Sequence, residues 1–441
     1  MTQTEPQSPR LPIRTFRSPD QEQAANSADV PGAYELPLEE INPLNPHLFR
    51  ENRWQEHFER LRREDPVHLN ELQSSGRYWS LTKYDDIRAV DGDWKTFSSA
   101  SGITLGPEIG GVEDLERSAT QQGSFIAMDP PTHGEQRRTV QPVSAPSNLR
   151  NIEPLIRERT TKVLDSLPEG ETFDWVDTVS IELTTLMLAT LFDFPLEDRR
   201  KLTRWSDIVF AIPEPGGIVE TQEQKRDEFM ECLTYFERLW EERRETPGND
   251  LVSMLVHGEN TKDMPTIEHL GNLILLIVGG NDTTRNTMSG GVYGLNKFPD
   301  QYDKFMADPG LIPKMVPEII RWQTPLAYMR RTANHDTEIR GKQIRKHDQL
   351  LMWYISGNRD EEVFENGDVI DIERDNADRH LSFGYGIHFC MGSRMAELQL
   401  RILWEEIHKR FERIELQEEP SFTFSSFVHG YTELPVTVTR R

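Results

Sequence analysis

Apolar residues recur at helical spacing through most of the chain, and the longest such stretch runs over residues 265–296. Residues 270–278 are apolar nearly all round, which predicts a buried helix about 48 Å long at roughly 1.5 Å per residue. Asp263 or Thr266 is placed to cap its start. A second helix is predicted over residues 393–410, where Met395, Leu398, Ile402 and Leu403 share one face. Residues 151–246 read as largely helical: Ile152, Leu155, Ile156, Val163 and Leu167 form one stripe, and 181–194 is almost wholly apolar on its inner face. Trp54, Phe58 and Leu61 mark a short amphipathic helix. Strand signals are short: residues 67–69 and 78–81 as a hairpin around Ser75-Gly76, 349–355 as a buried strand, and 422–424 with 435–439 as a closing hairpin. The pattern predicts a mainly α protein with small β-sheets.

The places where periodicity fails divide into linkers and candidate sites. Residues 1–45, rich in Pro, Gln, Ser and Glu, are expected to be a disordered arm, with Leu11 to Phe16 laid on the body; 46–441 is expected to be one domain. Residues 98–127 are punctuated by Gly102, Gly106, Gly110 and Gly111, and a loop this long is usually functional or mobile. Residues 208–220 read equally as a flexible lid between two helices or as a plain surface loop. Within the longest helix stands Gly279-Gly280-Asn281-Asp282-Thr283-Thr284. Two glycines there cost roughly 1 kcal/mol each against alanine. A buried acid and alcohol cost more unless partnered, so the broken rule points to a site. His133 and Arg137 fall one turn apart after Pro131, which suits a helix start; they would suit a carboxylate, or simply form a solvated face.

Composition narrows the function. A net charge of −24 argues against nucleic acid and against anionic membrane surfaces as partners. The longest aliphatic run, 273–278, is too short to span a bilayer, and no apolar leader is visible. Two cysteines far apart suggest a reducing compartment, so a soluble cytoplasmic protein without a membrane anchor is expected.

One of those cysteines, Cys390, sits among Gly384, Gly386 and Gly392, just before the helix over 393–410. Unpaired N–H groups and the helix dipole there favour a thiolate, which can ligate a metal; no second Cys stands near enough for a zinc knuckle or c-type haem attachment. The wording Phe383-Gly384-x-Gly386-x-His388-x-Cys390-x-Gly392 resembles the haem-binding loop of cytochrome P-450 enzymes. Three companions of that loop occur in order: His133-x-x-x-Arg137, Gly-Gly-x-Asp282-Thr283 and Glu318-x-x-Arg321. The resemblance covers about residues 46–441. Residues 277–286, 318–331 and 391–402 are similar in wording to the soluble bacterial subfamily that hydroxylates terminal carbons of alkanes and related chains.

That resemblance implies a cytochrome P-450 fold, a triangular prism with haem b buried between a helix-rich and a β-rich lobe. It implies Cys390 as iron ligand, with Phe383, Gly384 and Gly392 shaping the loop around the sulfur. His133, Arg137, Arg331 and His388 would meet the haem propionates, and Gly279 would lie over the haem. Asp282 and Thr283 would relay protons, and Glu318 with Arg321 would be structural. Ile103, Leu105, Leu275, Val278, Gly279, Leu326, Met329, Phe427 and Val428 would wall an apolar substrate channel. Dioxygen would be a substrate, and electrons would come from NADH through a ferredoxin reductase and a ferredoxin, since the chain carries no flavin, nicotinamide or iron–sulfur fingerprint. Phe389 departs from the family, where a basic residue commonly precedes the Cys, and this bears on how a redox partner docks. The competing expectations are a peroxide-driven or ligand-sensing haem-thiolate protein, a terpene or alicyclic hydroxylase, and a helical interaction protein without cofactor.

Overall fold

The computed structural model describes residues 30–72, 76–105 and 123–441. Its principal helices, in chain order, are α1 (Gln55–Glu64), α2 (Tyr84–Gly92), α3 (Thr132–Val140), α4 (Pro146–Asp165), α5 (Glu182–Leu191), α6 (Arg199–Phe210), α7 (Gln222–Glu245), α8 (Thr266–Lys297), α9 (Ile312–Gln323) and α10 (Ser393–Arg410). Helix α8 is the spine. Its first half contributes Leu270, Leu273, Ile274 and Ile277 to a core shared with α5, α6 and α7. Its second half contributes Met288, Val292 and Leu295 to another, shared with α9 and α10. Glycine makes both junctions possible: a Cβ on Gly280 would stand 2.8 Å from Leu188 of α5, and one on Gly291 would stand 2.6 Å from Trp404 of α10. The expected cap is absent. Pro265 is itself the N-cap residue and has no side-chain acceptor to offer, and neither Asp263 nor Thr266 makes a side-chain cap.

The strands are β1 (Val67–Leu72), β2 (Gly76–Leu81), β3 (Phe97–Ser98), β4 (Phe173–Asp174), β5 (Met329–Ala333), β6 (Thr337–Ile339), β7 (Lys342–Ile344), β8 (Gln349–Met352), β9 (Phe411–Leu416), β10 (Ser421–Phe422), β11 (Tyr431–Glu433) and β12 (Pro435–Arg440). The largest sheet runs β1-β2-β8-β5-β3. The β1–β2 hairpin forms as expected, its turn lying outside the described residues. Two strand expectations are corrected. Strand β8 stops at Met352, and the apolar residues after it enter a buried helical turn at Tyr354–Gly357; a short apolar run does not distinguish the two. The closing hairpin does not form between 422–424 and 435–439: β10 pairs with β11, whereas β12 pairs with β9 and β4. Val436 and Val438 alternate onto the face that buries Ile414 of β9, and that shared core selects the partner.

The arm boundary also moves. Residues 30–45 belong to the folded body: Ala33 and Ile41 are fully buried, Tyr78 donates to Asn42 Oδ1 (3.0 Å), and Asn70 donates to the Ile41 carbonyl (2.8 Å). These ties are mostly polar, so composition does not reveal them. Residues 11–16 and the middle of the 98–127 stretch lie outside the described residues. Between α6 and α7, Glu214 pairs with Arg50 (2.6 Å) and Val219 is buried, so this connection is fastened to the body. No helix among the described residues is long and apolar enough to cross a membrane.

Burial predicts an acid sensitivity. His429, enclosed beside Gln323, is held at a pKa of about 4 by burial, against the opposing hydrogen bond to the Gln323 carbonyl. Its folded pKa is depressed, so below about pH 6.5 the unfolded chain binds the extra proton. This contribution is complete above about pH 6.5 and is lost as pH falls toward about 4, up to about 3 kcal/mol for the one group. Denaturant unfolding at pH 7 and pH 4.5 is expected to show a smaller difference in His429→Gln than in the parent. An equal difference would contradict the assignment.

Candidate active site

The segment 380–392 is shaped by what its backbone must do. Gly384 and Gly386 take positive φ (68° and 72°), and a Cβ on Gly386 would stand 2.8 Å from the Asp91 carbonyl. The turn brings the Cys390 N–H to the Phe383 carbonyl (2.8 Å), and Gly392 leads into α10. Asp91, at the end of α2, holds the arrangement. It accepts the Tyr385 N–H (2.8 Å), the Tyr354 hydroxyl (2.8 Å) and Arg331 Nη2 of β5 (2.6 Å). Sequence reasoning missed Asp91, since an acid beside Gly92 at a helix end carries no local sign of burial.

The loop forms one side of a cavity of about 280 Å³. Phe383, Gly384, His388, Cys390 and Gly392 line it from the loop, Leu275, Val278, Gly279 and Thr283 from α8, and His133 and Arg137 from α3. Arg331, Met329, Leu326, Ile103 and Phe427 complete the expected set. Three expected residues do not line it. Leu105 is turned into a neighbouring core, its backbone N–H and carbonyl both bonded to the Tyr328 hydroxyl. Val428 lies in the same core, paired as an antiparallel bridge to Leu326. Asp282 is rotated from the wall: it accepts from Ser206 Oγ (2.9 Å) and pairs with Arg285 (3.2 Å), facing α6. The helical period explains this: Thr283 lies about 40° to one side of Gly279 and Asp282 about 60° to the other, so the two side chains diverge by about 100°. Thr283 Oγ1 donates to the Gly279 carbonyl (2.9 Å). Met187, Leu188 and Leu191 of α5 also line the cavity, and Ser99 bonds His388 (3.0 Å); nothing in their sequence context marked them.

Electrostatics at the rim are donor-rich. Burial, then Arg137, lowers the pKa of His133 to about 4, and burial, then Arg331, holds His388 well below the usual imidazole range. The two ring centroids lie 4.2 Å apart. His133 Nε2 is buried and has no partner among the described residues. The thiol of Cys390 is pushed up by burial, opposed by the N–H groups of Gly392 and Ser393 and by Arg137. The helix terminus thus acts in the expected direction, but burial outweighs it. Direct coordination to a metal would reverse the balance, because a coordinating thiol is deprotonated outright.

These features fit a flat group with a metal centre and anionic arms. A sulfur lines the cavity, and a Cβ on Gly279, which also lines it, would meet nothing within 4 Å. Arg137, Arg331 and an unpartnered imidazole nitrogen stand at the edge.

Comparison with known proteins gives the same answer. A family model described as "Cytochrome P450" matches residues 310–435. Linalool 8-monooxygenase of Pseudomonas putida is 35% identical over 411 residues, covering 91% of this chain and 99% of that protein. The solved structure of cytochrome P450-153 from Novosphingobium aromaticivorans shares 44% identity at a TM-score of 0.82, covering 90% of this chain and 99% of that one. CYP153D17 from Sphingomonas sp. PAMC 26605 shares 50% at 0.81, covering 90% and 98%. The chain belongs to the cytochrome P-450 family. It is a haem-dependent monooxygenase with the P-450 fold, and its cofactor is haem b.

Proposed function

We propose that this monooxygenase hydroxylates the terminal carbon of a medium-to-long alkyl chain, an n-alkane or a fatty acid, with electrons from NADH through a ferredoxin reductase and a ferredoxin. The observation that carries this reading is the aliphatic lining of the cavity that Cys390 also lines: Ile103, Leu275, Val278, Leu326 and Met329, with Phe427. A primary C–H bond is stronger than an inner one, so selectivity must come from geometry, and a narrow apolar wall supplies it by presenting one chain end. Relatives support the class. Methyl-branched lipid omega-hydroxylase of Mycobacterium tuberculosis is 32% identical over 86% of this chain.

Cys390 would hold the iron, and His133, Arg137, Arg331 and His388 would hold the propionates. When bound, the haem supplies the activation of dioxygen; the thiolate ligand favours O–O cleavage. Phe383 excludes water from the sulfur's side. Thr283 presents its hydroxyl at the cavity wall and holds a proton there. Asp282, its carboxyl raised above the usual carboxylate range by burial against the pull of Arg285, would pass protons from behind that wall. Glu318 and Arg321 take a structural part.

The test is the absorption shift on adding n-alkanes and fatty acids of increasing length, followed by product analysis with ferredoxin, reductase and NADH. Terminal alcohols are expected. In-chain alcohols, or product only with hydrogen peroxide, would overturn the proposal. Linalool belongs in the same series, because the relative named linalool 8-monooxygenase favours a terpenoid alcohol as the second reading. Thr283→Ala is expected to lower the yield of alcohol per NADH several-fold while leaving substrate binding near the parent value. Unchanged coupling would remove Thr283 from the proton path.

A further inference from the structure

Two arginines, Arg137 and Arg331, line the haem cavity, and they are held differently. Arg137 donates to the Phe389 carbonyl (2.6 Å) and makes no ion pair among the described residues. Arg331 carries a carboxylate of its own. Its Nη2 donates to Asp91 Oδ1 (2.6 Å) and its Nη1 to the Arg330 carbonyl (2.8 Å), and both side chains of the ion pair are buried. The second oxygen, Asp91 Oδ2, accepts the Tyr354 hydroxyl and the Tyr385 N–H, each at 2.8 Å. These three donors come from β5, from the helical turn after β8 and from the loop that carries Cys390. No Asp or Glu lines the cavity among the described residues. Asp91 stands one side chain behind the wall, and Arg331, Tyr354 and Gly384 stand in it.

A carboxylate paired with an arginine weakens the pull of that arginine on a second anion, and burying it costs free energy unless it is well partnered. Two effects set against that cost bear on the haem. Bonds from two nitrogens of Arg331 fix the plane of its guanidinium, so its remaining donors meet a propionate in one orientation. A buried charge is also little screened, by protein or by salt, and acts on its neighbours over a distance. Ferric iron carries one more positive charge than ferrous iron, so a fixed negative charge favours the ferric state.

We propose that Asp91 is a positioning residue that sets the reduction potential of the haem: it orients Arg331 toward a propionate, and its buried negative charge holds the iron toward the ferric state. The thiolate remains the ligand, and Asp91 acts from outside the coordination sphere through hydrogen bonding and charge, two of the means by which a protein tunes a metal.

The experiment is a spectroelectrochemical titration of the full-length, haem-loaded, substrate-free protein, comparing the parent with Asp91→Asn and Tyr354→Phe. Asp91→Asn keeps the shape, and its amide oxygen can still accept from the loop, but the charge is gone. Its midpoint is expected to rise by about 59 mV, which is a tenfold shift toward ferrous iron for one electron. Tyr354→Phe removes one bond to the same carboxylate and leaves the charge, so its midpoint is expected to stay near the parent value. A purely structural role would move the two variants alike. The proposal is overturned if Asp91→Asn has the parent potential or a lower one, or if Tyr354→Phe rises as far as Asp91→Asn does. Should Asp91→Asn fail to retain haem, Asp91→Glu decides, because it restores the charge. Retention at the parent potential would uphold the proposal; loss of haem, or a potential away from the parent value, would assign Asp91 to packing alone.

Discussion

Cys390→Ser is expected to abolish the red-shifted absorption of the reduced, carbon-monoxide-treated protein and to bring hydroxylation below detection. The change is nearly isosteric. The tie between the Cys390 N–H and the Phe383 carbonyl is a backbone bond and survives it, as do the three bonds to Asp91 that set the loop. Folding should therefore be retained, and the loss falls on the ligand atom alone. A hydroxyl is a weak, hard donor beside iron, whereas a thiolate pushes electron density onto it. Thermal unfolding of the polypeptide within about 1 kcal/mol of the parent, together with loss of the band, is the expected pair of results. A band that persisted in the serine variant would place the ligand elsewhere, and no other cysteine is available: Cys232 is buried in the core formed by α6, α7 and the first half of α8.

The same loop shows what could be read from residues alone. Its cysteine and glycines lie within nine residues, and the hydrogen bond that sets the cysteine runs to the Phe383 carbonyl of the same loop, so the wording carries much of the geometry. The limits of α8 and α10 were legible for a related reason: an apolar stripe at helical spacing is a local property. The errors share the opposite character. Ile103 faces the cavity and Leu105 does not; Phe427 faces it and Val428 does not. In extended segments the side that faces the substrate depends on the placement of β5 and of Tyr328, which is tertiary information. The resemblance pairs Asp282 with Thr283, and since one step along a helix turns a side chain through about 100°, only Thr283 reaches the cavity wall. Asp91, Ser99 and the polar ties of residues 30–45 were invisible because each binds a partner far away in the chain.

Arg321→Ala is expected to cost about 3–5 kcal/mol, because it removes the nearer, bidentate partner of a wholly buried Glu318 carboxylate and leaves Arg374 alone to compensate it. Both side chains are wholly buried, and their contact is bidentate, with Nε and Nη2 each 2.7 Å from a Glu318 oxygen. The remaining donors reach past the pair. Nη1 serves the carbonyls of Asn358 and Gly367 (2.7 Å each), and Nη2 also serves Val369 (3.1 Å). Glu318 in turn accepts the Asp371 N–H (2.9 Å) and pairs with Arg374 (3.2 Å). One ion pair thus pins the irregular stretch 358–371, which has few strand or helix bonds of its own and leads directly into the Cys390 loop. Truncation should lower the unfolding midpoint and release haem at a temperature where the parent retains it. Arg321→Lys should recover only part of the loss, since a single ammonium cannot serve a two-oxygen fork and three carbonyls together. A cost below about 1 kcal/mol for Arg321→Ala would mean that the segment is held by something other than this pair.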